Sequence, residues 1–218
     1  MPDYASARAA MVEKQLRRRG IADERVLEAM GRVPRELFVD ADLRGRAYKD
    51  EPILIGFGQT ISQPYMVALI AEAAAVRPGQ KVLDVGAGSG YGAAVLAELG
   101  AEVHAIERLP SLAGKARRRL DRAGYKRVEI HVGDGSVGFP AEAPYDAITV
   151  AAAAKEIPEA LYDELVPGGR IVIPVGNRAG QRLVTAVRSP EGPAVLRSVA
   201  CRFVPLVGEG VPPPTQLD

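Results

Sequence analysis

The chain has 218 residues and a mass of 23.1 kDa, room for one sizeable α/β core with some elaboration at its ends. Its 28 basic and 27 acidic residues leave a formal charge of +1, so no broad positive field exists to hold a polyanion, and nucleic acid is excluded as the default partner. The one cysteine, Cys201, cannot make an internal disulfide, and neither a signal-like segment nor an apolar run of about 18 residues occurs; a soluble cytoplasmic protein with no membrane partner is expected, a monomer ahead of an oligomer.

In chain order, SARAAMVEKQLRRRG spaces Ala9, Met11, Val12 and Leu16 as a helix does, with Gly20 as a stop. Asp23 stands where an N-cap precedes ERVLEAMGRV, whose Val26, Leu27 and Met30 share one apolar face and which Pro34 closes. From Ala47 to Gly58 the pattern becomes a loop punctuated by Gly and Pro. PYMVALIAEAAAV then resumes helical character, with Pro64 suited to a first turn and Pro78–Gly79 ending the element.

Beyond this point short β-branched runs alternate with helical segments, as in βα units of a parallel sheet. Strands are expected at KVLDV, EVHAIE, RVEIHV, YDAITV and RIVIPV, with helices near 93–99, 112–123 and 158–165. Their continuous apolar character suits a sheet covered on both faces. RLVTAVRS and AVLRSVACRFVPLV, joined by the turn-rich SPEGP, predict antiparallel strands, so the sheet starts parallel and ends mixed, seven strands in all. The run of prolines at 212–214 leads into a poorly ordered tail. The expected organisation is one domain: N-terminal helices and a loop at 1–77, a βα core at 78–176, and antiparallel strands with a tail at 177–218.

Gly86, Gly88 and Gly90 follow the strand KVLDV and precede a helix, the place where backbone passes close to a ligand with no Cβ in the way. A dinucleotide turn would read G-x-G-x-x-G, but Tyr91 holds the third-glycine position, which disfavours a nicotinamide dehydrogenase. G-x-G-x-G with Asp84 just before it resembles the signature of methyltransferases that use S-adenosylmethionine and release S-adenosylhomocysteine. The expected cofactor contacts are Asp84, Gly86, Ala87, Gly88, Ser89 and Gly90 in the turn, Glu107 and Arg108 at the end of the second core strand, and Asp134 and Gly135 after the third. Glu107, about 20 residues beyond the first glycine, is placed to accept both ribose hydroxyls, although alone it would be an ordinary strand-end residue. Asp134 is placed to accept from an adenine amino group; a simple Asx turn is the alternative.

The segment GQTISQPYMVA at 58–68 resembles the protein-L-isoaspartate O-methyltransferase family, and the likeness extends through RVPRELFV at 32–39, VLDVGAGSGYG at 82–92, YDAITVAAAAKEIPEAL at 145–161, LVPGGRIVIPVG at 165–176 and RFVPL at 202–206. The resemblance implies a class I, Rossmann-like methyltransferase fold with a mostly parallel sheet and an N-terminal helical extension. It also implies methyl transfer from S-adenosylmethionine to the α-carboxyl of L-isoaspartyl residues, and to D-aspartyl ones, in damaged proteins and peptides. It makes Ser62 the active-site residue with Thr60 beside it, and has the substrate main chain gripped near RFVPL and the alanines at 151–154. Phe57 departs from the family pattern, which often has histidine there.

A free carboxylate is already a nucleophile at neutral pH, so its methylation needs no general base, only alignment and loss of water. Neutral hydroxyls orient such an anion without quenching it as a bidentate arginine would. An N-cap for the helix at Pro64 is the structural alternative for Ser62. A methyltransferase for RNA or a small metabolite is the alternative function, and a scaffold that binds cofactor without catalysis is another. His104 and His131 are expected to be packed within strands, Cys201 to be a small buried hydrophobe, and the arginine runs at 17–19 and 117–119 to be solvated.

Overall fold

The computed structural model describes residues 3–177 and 179–211. The proline tail expected at 212–214 lies outside the described residues. The first helix, α1 (Tyr4–Met11), widens to a π turn at Val12–Leu16, tightens to a 3-10 turn at Arg17–Arg19, and stops at Gly20 with φ 95°. Helix α2 (Glu24–Arg32) begins as expected at Asp23, whose carboxylate accepts from the Arg25 amide, and buries Val26, Leu27, Ala29 and Met30.

The stretch expected to be loop is partly a hairpin: β1 (Ile53–Gly56) pairs antiparallel with β2 (Gln59–Ile61). Ile53 and Ile55 alternate inward with Leu54 outward, a strand pattern too short to stand out from its Gly/Pro surroundings. Its tip holds Phe57 at φ 54° with the ring mostly in solvent.

Helix α3 (Pro64–Ala74) leads into the main sheet: β3 (Lys81–Val85), α4 (Tyr91–Glu98), β4 (Glu102–Glu107), α5 (Pro110–Ala123), β5 (Glu129–Val132), β6 (Tyr145–Val150), α6 (Glu159–Asp163), β7 (Leu165–Asn177), β8 (Gly180–Ser189) and β9 (Gly192–Cys201). The seven strands lie in the order β5-β4-β3-β6-β7-β8-β9. The first five are parallel to their neighbours and the last two antiparallel, as the change of sequence rhythm predicts. The order reverses between β4 and β6 on either side of β3, and a ligand crevice in an open α/β sheet forms at the carboxyl ends of strands at such a switch.

Two apolar clusters cover the two faces. Val82 joins α3, α4, α5 and the N-terminal helices on one side, while Leu83 and Val85 join β6, α6 and β7 on the other, the period-two alternation of a strand buried on both faces. Of the arginines read as solvated, Arg17, Arg18 and Arg19 are exposed, but Arg119 is buried and donates to Asp40 at 2.7 Å. The spacing around α5 cannot show that a loop from the N-terminal extension lies against that turn.

One charged side chain ties this extension to the core. Arg35, in a 3-10 turn after α2, is fully buried. Its Nε donates to the Ala47 carbonyl at 2.7 Å and its Nη2 to the Ser62 carbonyl at 2.8 Å, and the guanidinium lies 4.7 Å from the Tyr91 ring centroid. Burial pushes its pKa down from the ordinary arginine value, yet a guanidinium stays protonated in proteins. Lysine keeps the charge but cannot span two divergent carbonyls. Arg35→Lys is expected to cost about 2 kcal/mol or more, read as a lower urea midpoint; an unchanged midpoint would show that the fork does not hold these segments.

Candidate active site

The expected acceptor segment meets part of the expected cofactor set; Gly90, Glu107, Arg108, Asp134 and Gly135 do not line the shared cavity. A cavity of about 60 Å³ is lined by Thr60 and Ser62 from the hairpin side, Asp84 from β3, and Gly86, Ala87, Gly88 and Ser89 from the turn that follows. Val67, Ile70 and Leu96 supply apolar wall, and Thr149 and Ala151 line it from β6 and the segment after it.

The turn between β3 and α4 needs its glycines. Gly86, Gly88 and Gly90 have φ of 84°, 52° and 86°, values that L side chains rarely adopt, and a Cβ on Gly88 would meet Ile55 Cδ1 at 3.3 Å. The amides of Gly86 and Ala87 both donate to the Ile106 carbonyl, at 2.9 and 3.1 Å, which folds the turn back over β4. Glu107, the last residue of β4, holds the same turn: its carboxylate accepts from Gly88 N and from Leu109 N, each at 2.9 Å. Each of its oxygens takes one of these bonds and keeps a further lone pair for another donor. Arg108, next in the chain, is exposed.

Asp134 lies beyond β5, which pairs with β4 through Glu107 and Val132. Its Oδ1 accepts from the Ser136 amide at 2.9 Å and hydroxyl at 2.6 Å, the Asx-type turn that was the alternative for this residue. Its Oδ2 accepts from Glu209 N at 2.6 Å, a contact from the far end of the chain. Burial would raise its pKa, but the donors from Ser136 and Glu209, with the nearby Arg108 charge, outweigh this and hold it below the usual carboxylate range. The segment on top must be slim: a Cβ on Gly208 would come within 2.0 Å of Asp134 Oδ1. Gly135 is as constrained from below, by Ile106 and Val85.

Asp84 is buried, and Thr149 Oγ1 donates to its Oδ1 at 2.8 Å. Burial pushes its pKa up to about 6, the Thr149 bond opposes this, and the Glu107 charge adds to it. Among the residues lining the cavity there is no lysine, arginine or histidine to neutralise it. Such a carboxylate suits a cationic ligand group.

The two hydroxyls stand differently from what a helix start implies. The residue at the N-terminus of α3 is Gln63, and no side chain of the adjoining residues caps it. Asp50 does so from a distance, its Oδ1 accepting from Tyr65 N at 3.2 Å. Ser62 is therefore not spent as a cap; its carbonyl is fixed by Arg35, and the residue lines the cavity. Arg35, Asp50 and Thr149 were not among the expected site residues. Only RVPRELFV carried a sign of Arg35, and nothing local in sequence points to the other two.

A separate groove of about 430 Å³ is lined by Ala153, Lys155, Gln181, Arg202, Phe203 and Leu206 among others; it shares no lining residue with the first cavity. The segments expected to grip a peptide main chain here bind each other: Ala153 N donates to the Val204 carbonyl at 2.8 Å and Leu206 N to the Ala153 carbonyl at 2.7 Å. Phe203 and Leu206 are half-buried. Cys201 also lines this groove, half-buried where full burial was expected, and burial raises its thiol pKa. His104 and His131 do not line the active-site cavity.

Asp84 yields a sign-definite prediction. Its folded pKa of about 6 lies above the ordinary 3.8, so ionising it opposes folding; the cost is absent well below pH 4, grows through pH 6 and is complete above. Asp84→Asn is expected to raise the stability of the ligand-free protein at pH 8 by at most about 3 kcal/mol and to give no gain at pH 4. Thermal melts of both proteins at the two pH values check this, and an equal difference at both would refute it.

The chain matches the family model described as protein-L-isoaspartate(D-aspartate) O-methyltransferase over residues 6–210. It is 53% identical over 209 residues to protein-L-isoaspartate O-methyltransferase 2 of Marinobacter nauticus, covering 95% of each chain. It is also 53% identical to the protein-L-isoaspartate O-methyltransferase of Hyperthermus butylicus, over 94% of this chain and 90% of that one. A solved Plasmodium falciparum structure, assigned as a protein-L-isoaspartate O-methyltransferase in complex with S-adenosyl-L-homocysteine, superposes with a TM-score of 0.80 at 27% identity, over 95% of this chain and 99% of that one. The family-model match over residues 6–210 and the 53% identities over almost the whole chain place it in the protein-L-isoaspartate(D-aspartate) O-methyltransferase family.

Proposed function

We propose that the protein transfers a methyl group from S-adenosylmethionine to the free α-carboxyl of L-isoaspartyl residues, and to D-aspartyl residues, in damaged proteins and peptides. The observation that carries this reading is the meeting of Thr60 and Ser62 with Asp84 and the glycine turn around one cavity that holds no basic side chain. When bound, the cofactor supplies an electrophilic methyl on a sulfonium.

The residues fit such a ligand. Asp84 offers an uncompensated buried carboxylate for its ammonium group, and Gly86, Ala87, Gly88 and Ser89 give a wall with little side chain; Gly90, which does not line the cavity, shapes the turn through its φ of 86°. Glu107 keeps lone pairs for ribose hydroxyls beside the Gly88 and Leu109 amides. Asp134 and Gly135, with Arg108 nearby, form the adenine end, over which the 208–210 segment closes. The 60 Å³ cavity is smaller than the roughly 300 Å³ where ligand pockets begin, so it takes only part of the cofactor.

The acceptor carboxylate arrives as an anion. Thr60 and Ser62 donate weak hydrogen bonds that fix which oxygen faces the methyl, while Ile61, Val67 and Ile70 exclude water. Attack in line forms the ester C–O bond as the C–S bond breaks, and the electron pair stays on sulfur. No proton moves, so the reaction needs no general base. The groove beside Ala153 and Phe203 is proposed to hold the flanking peptide.

We read the chain as one domain with the three-part organisation stated above, acting as a monomer in the cytoplasm without nucleic acid or membrane. The net charge of +1 supports the absence of a nucleic-acid partner, and no helix among the described residues is long and apolar enough to cross a membrane. The RNA or small-metabolite alternative finds no support in the family match or in the charge of the cavity wall.

Labelled cofactor offered with a matched isoaspartyl and aspartyl peptide pair is expected to label only the isoaspartyl one; equal labelling, or none, overturns the reading. Ser62→Ala is expected to lower kcat by about tenfold or more with little change in cofactor Kd, whereas Glu107→Gln weakens cofactor binding first. Loss of cofactor binding in Ser62→Ala would put that residue at the wrong end of the site.

A further inference from the structure

A cluster of metal-ligating side chains lies outside the active site, on the neighbouring strands β4 and β5. His104 sits opposite Glu129, and His131 opposite Ile106, so both imidazoles and the Glu129 carboxylate emerge on one sheet face. His104 Nδ1 is 3.4 Å from His131 Nε2, and Glu129 Oε2 is 3.8 Å from each of these nitrogens. A direct N–H···N bond at 3.4 Å is long, but about 3.4 Å is the edge of a tetrahedron with 2.1 Å bonds. The nearest point equidistant from the three donors lies about 2.1 Å from each, the length of a zinc–imidazole or zinc–carboxylate bond; that point is in the plane of the three donors, and an inward shift of the exposed Glu129 carboxylate by about 0.4 Å brings all three edges to the tetrahedral value.

We propose that His104 Nδ1, His131 Nε2 and Glu129 Oε2 form a binding site for a divalent transition-metal ion of the zinc class, with a fourth position open to water.

The surroundings supply what such a site requires. Glu102 Oε1 lies 3.2 Å from His104 Nε2, so the far nitrogen of that ring has a carboxylate to donate to, which leaves Nδ1 bare for the ion. Glu142 Oε2, 3.9 Å from the same Nε2, adds negative charge, partly offset by Lys81, whose ammonium lies 3.7 Å from Glu142 and 3.9 Å from Glu102. Phe139 packs on the His131 ring at 4.2 Å between centroids and Tyr145 edges the His104 ring at 6.4 Å, restricting both imidazoles. The His104 side chain is 4% exposed, His131 25% and Glu129 63%, so the ion enters from the Glu129 side. Two imidazoles select against magnesium and calcium, which take oxygen donors.

The site has a structural consequence. His104 precedes Glu107 by three residues in β4, and His131 precedes Asp134 by three in and after β5. A bound ion clips edge strand β5 to β4 just upstream of both carboxylates.

Calorimetric titration of the untagged, metal-free protein with zinc chloride is expected to show one equivalent bound, with a rise in thermal midpoint that magnesium chloride does not give. His131→Gln and Glu129→Gln, both on the exposed side, are each expected to weaken zinc binding about tenfold or more while leaving the metal-free melt close to wild type. Cys201→Ser is expected to bind as wild type does. Absence of zinc binding, undiminished binding in His131→Gln, or loss of binding in Cys201→Ser instead would overturn the site.

Discussion

A single buried cation decides where the acceptor loop stands. Arg35 gives its two donor edges to carbonyls of different segments, Ala47 and Ser62, and rests its face near Tyr91, the residue that opens α4 after the glycine turn. The N-terminal helices, the hairpin and the cofactor turn are thereby fixed about one rigid planar group. A guanidinium suits this because it is weakly hydrated and pre-organised, and its loss would strand the buried Ala47 carbonyl and the part-buried Ser62 carbonyl. Ser62 keeps its place in the cavity wall because its own carbonyl is held and the helix start beside it is capped by Asp50.

Negative charge is concentrated where the sheet order reverses. Asp84 is the next-to-last residue of β3, Glu107 ends the neighbouring parallel strand β4, and Asp134 follows β5. The fold manages this by different means. Glu107 and Asp134 accept backbone amides, while Asp84 has a single threonine donor and is pushed up to about 6. The least compensated carboxylate lines the same cavity as Thr60 and Ser62. Its desolvation cost in the ligand-free state favours a ligand that brings positive charge.

Much of the framework was legible from periodicity. The seven sheet strands, the change from parallel to antiparallel and the Asp23 cap are local properties, since β-branched runs and caps act within a few residues. The hairpin at 53–61 was not legible: strands of four and three residues flanked by glycine carry too little alternation to distinguish them from a loop. Arg119 was misread because its burial comes from Asp40, a residue 79 positions away.

The sequence by itself determined the class of site. Three glycines at alternate positions after an apolar strand, acidic residues at the following strand ends, and GQTISQP with its family likeness are one-dimensional features, because the turn that needs them is local. Only the tertiary structure decided that Asp50 rather than Ser62 caps α3, that Thr149 is the partner of Asp84, and that the 208–210 segment closes on Asp134. Each of these contacts joins residues far apart in the chain, and short-range spacing carries no record of which distant groups a fold brings within hydrogen-bonding distance.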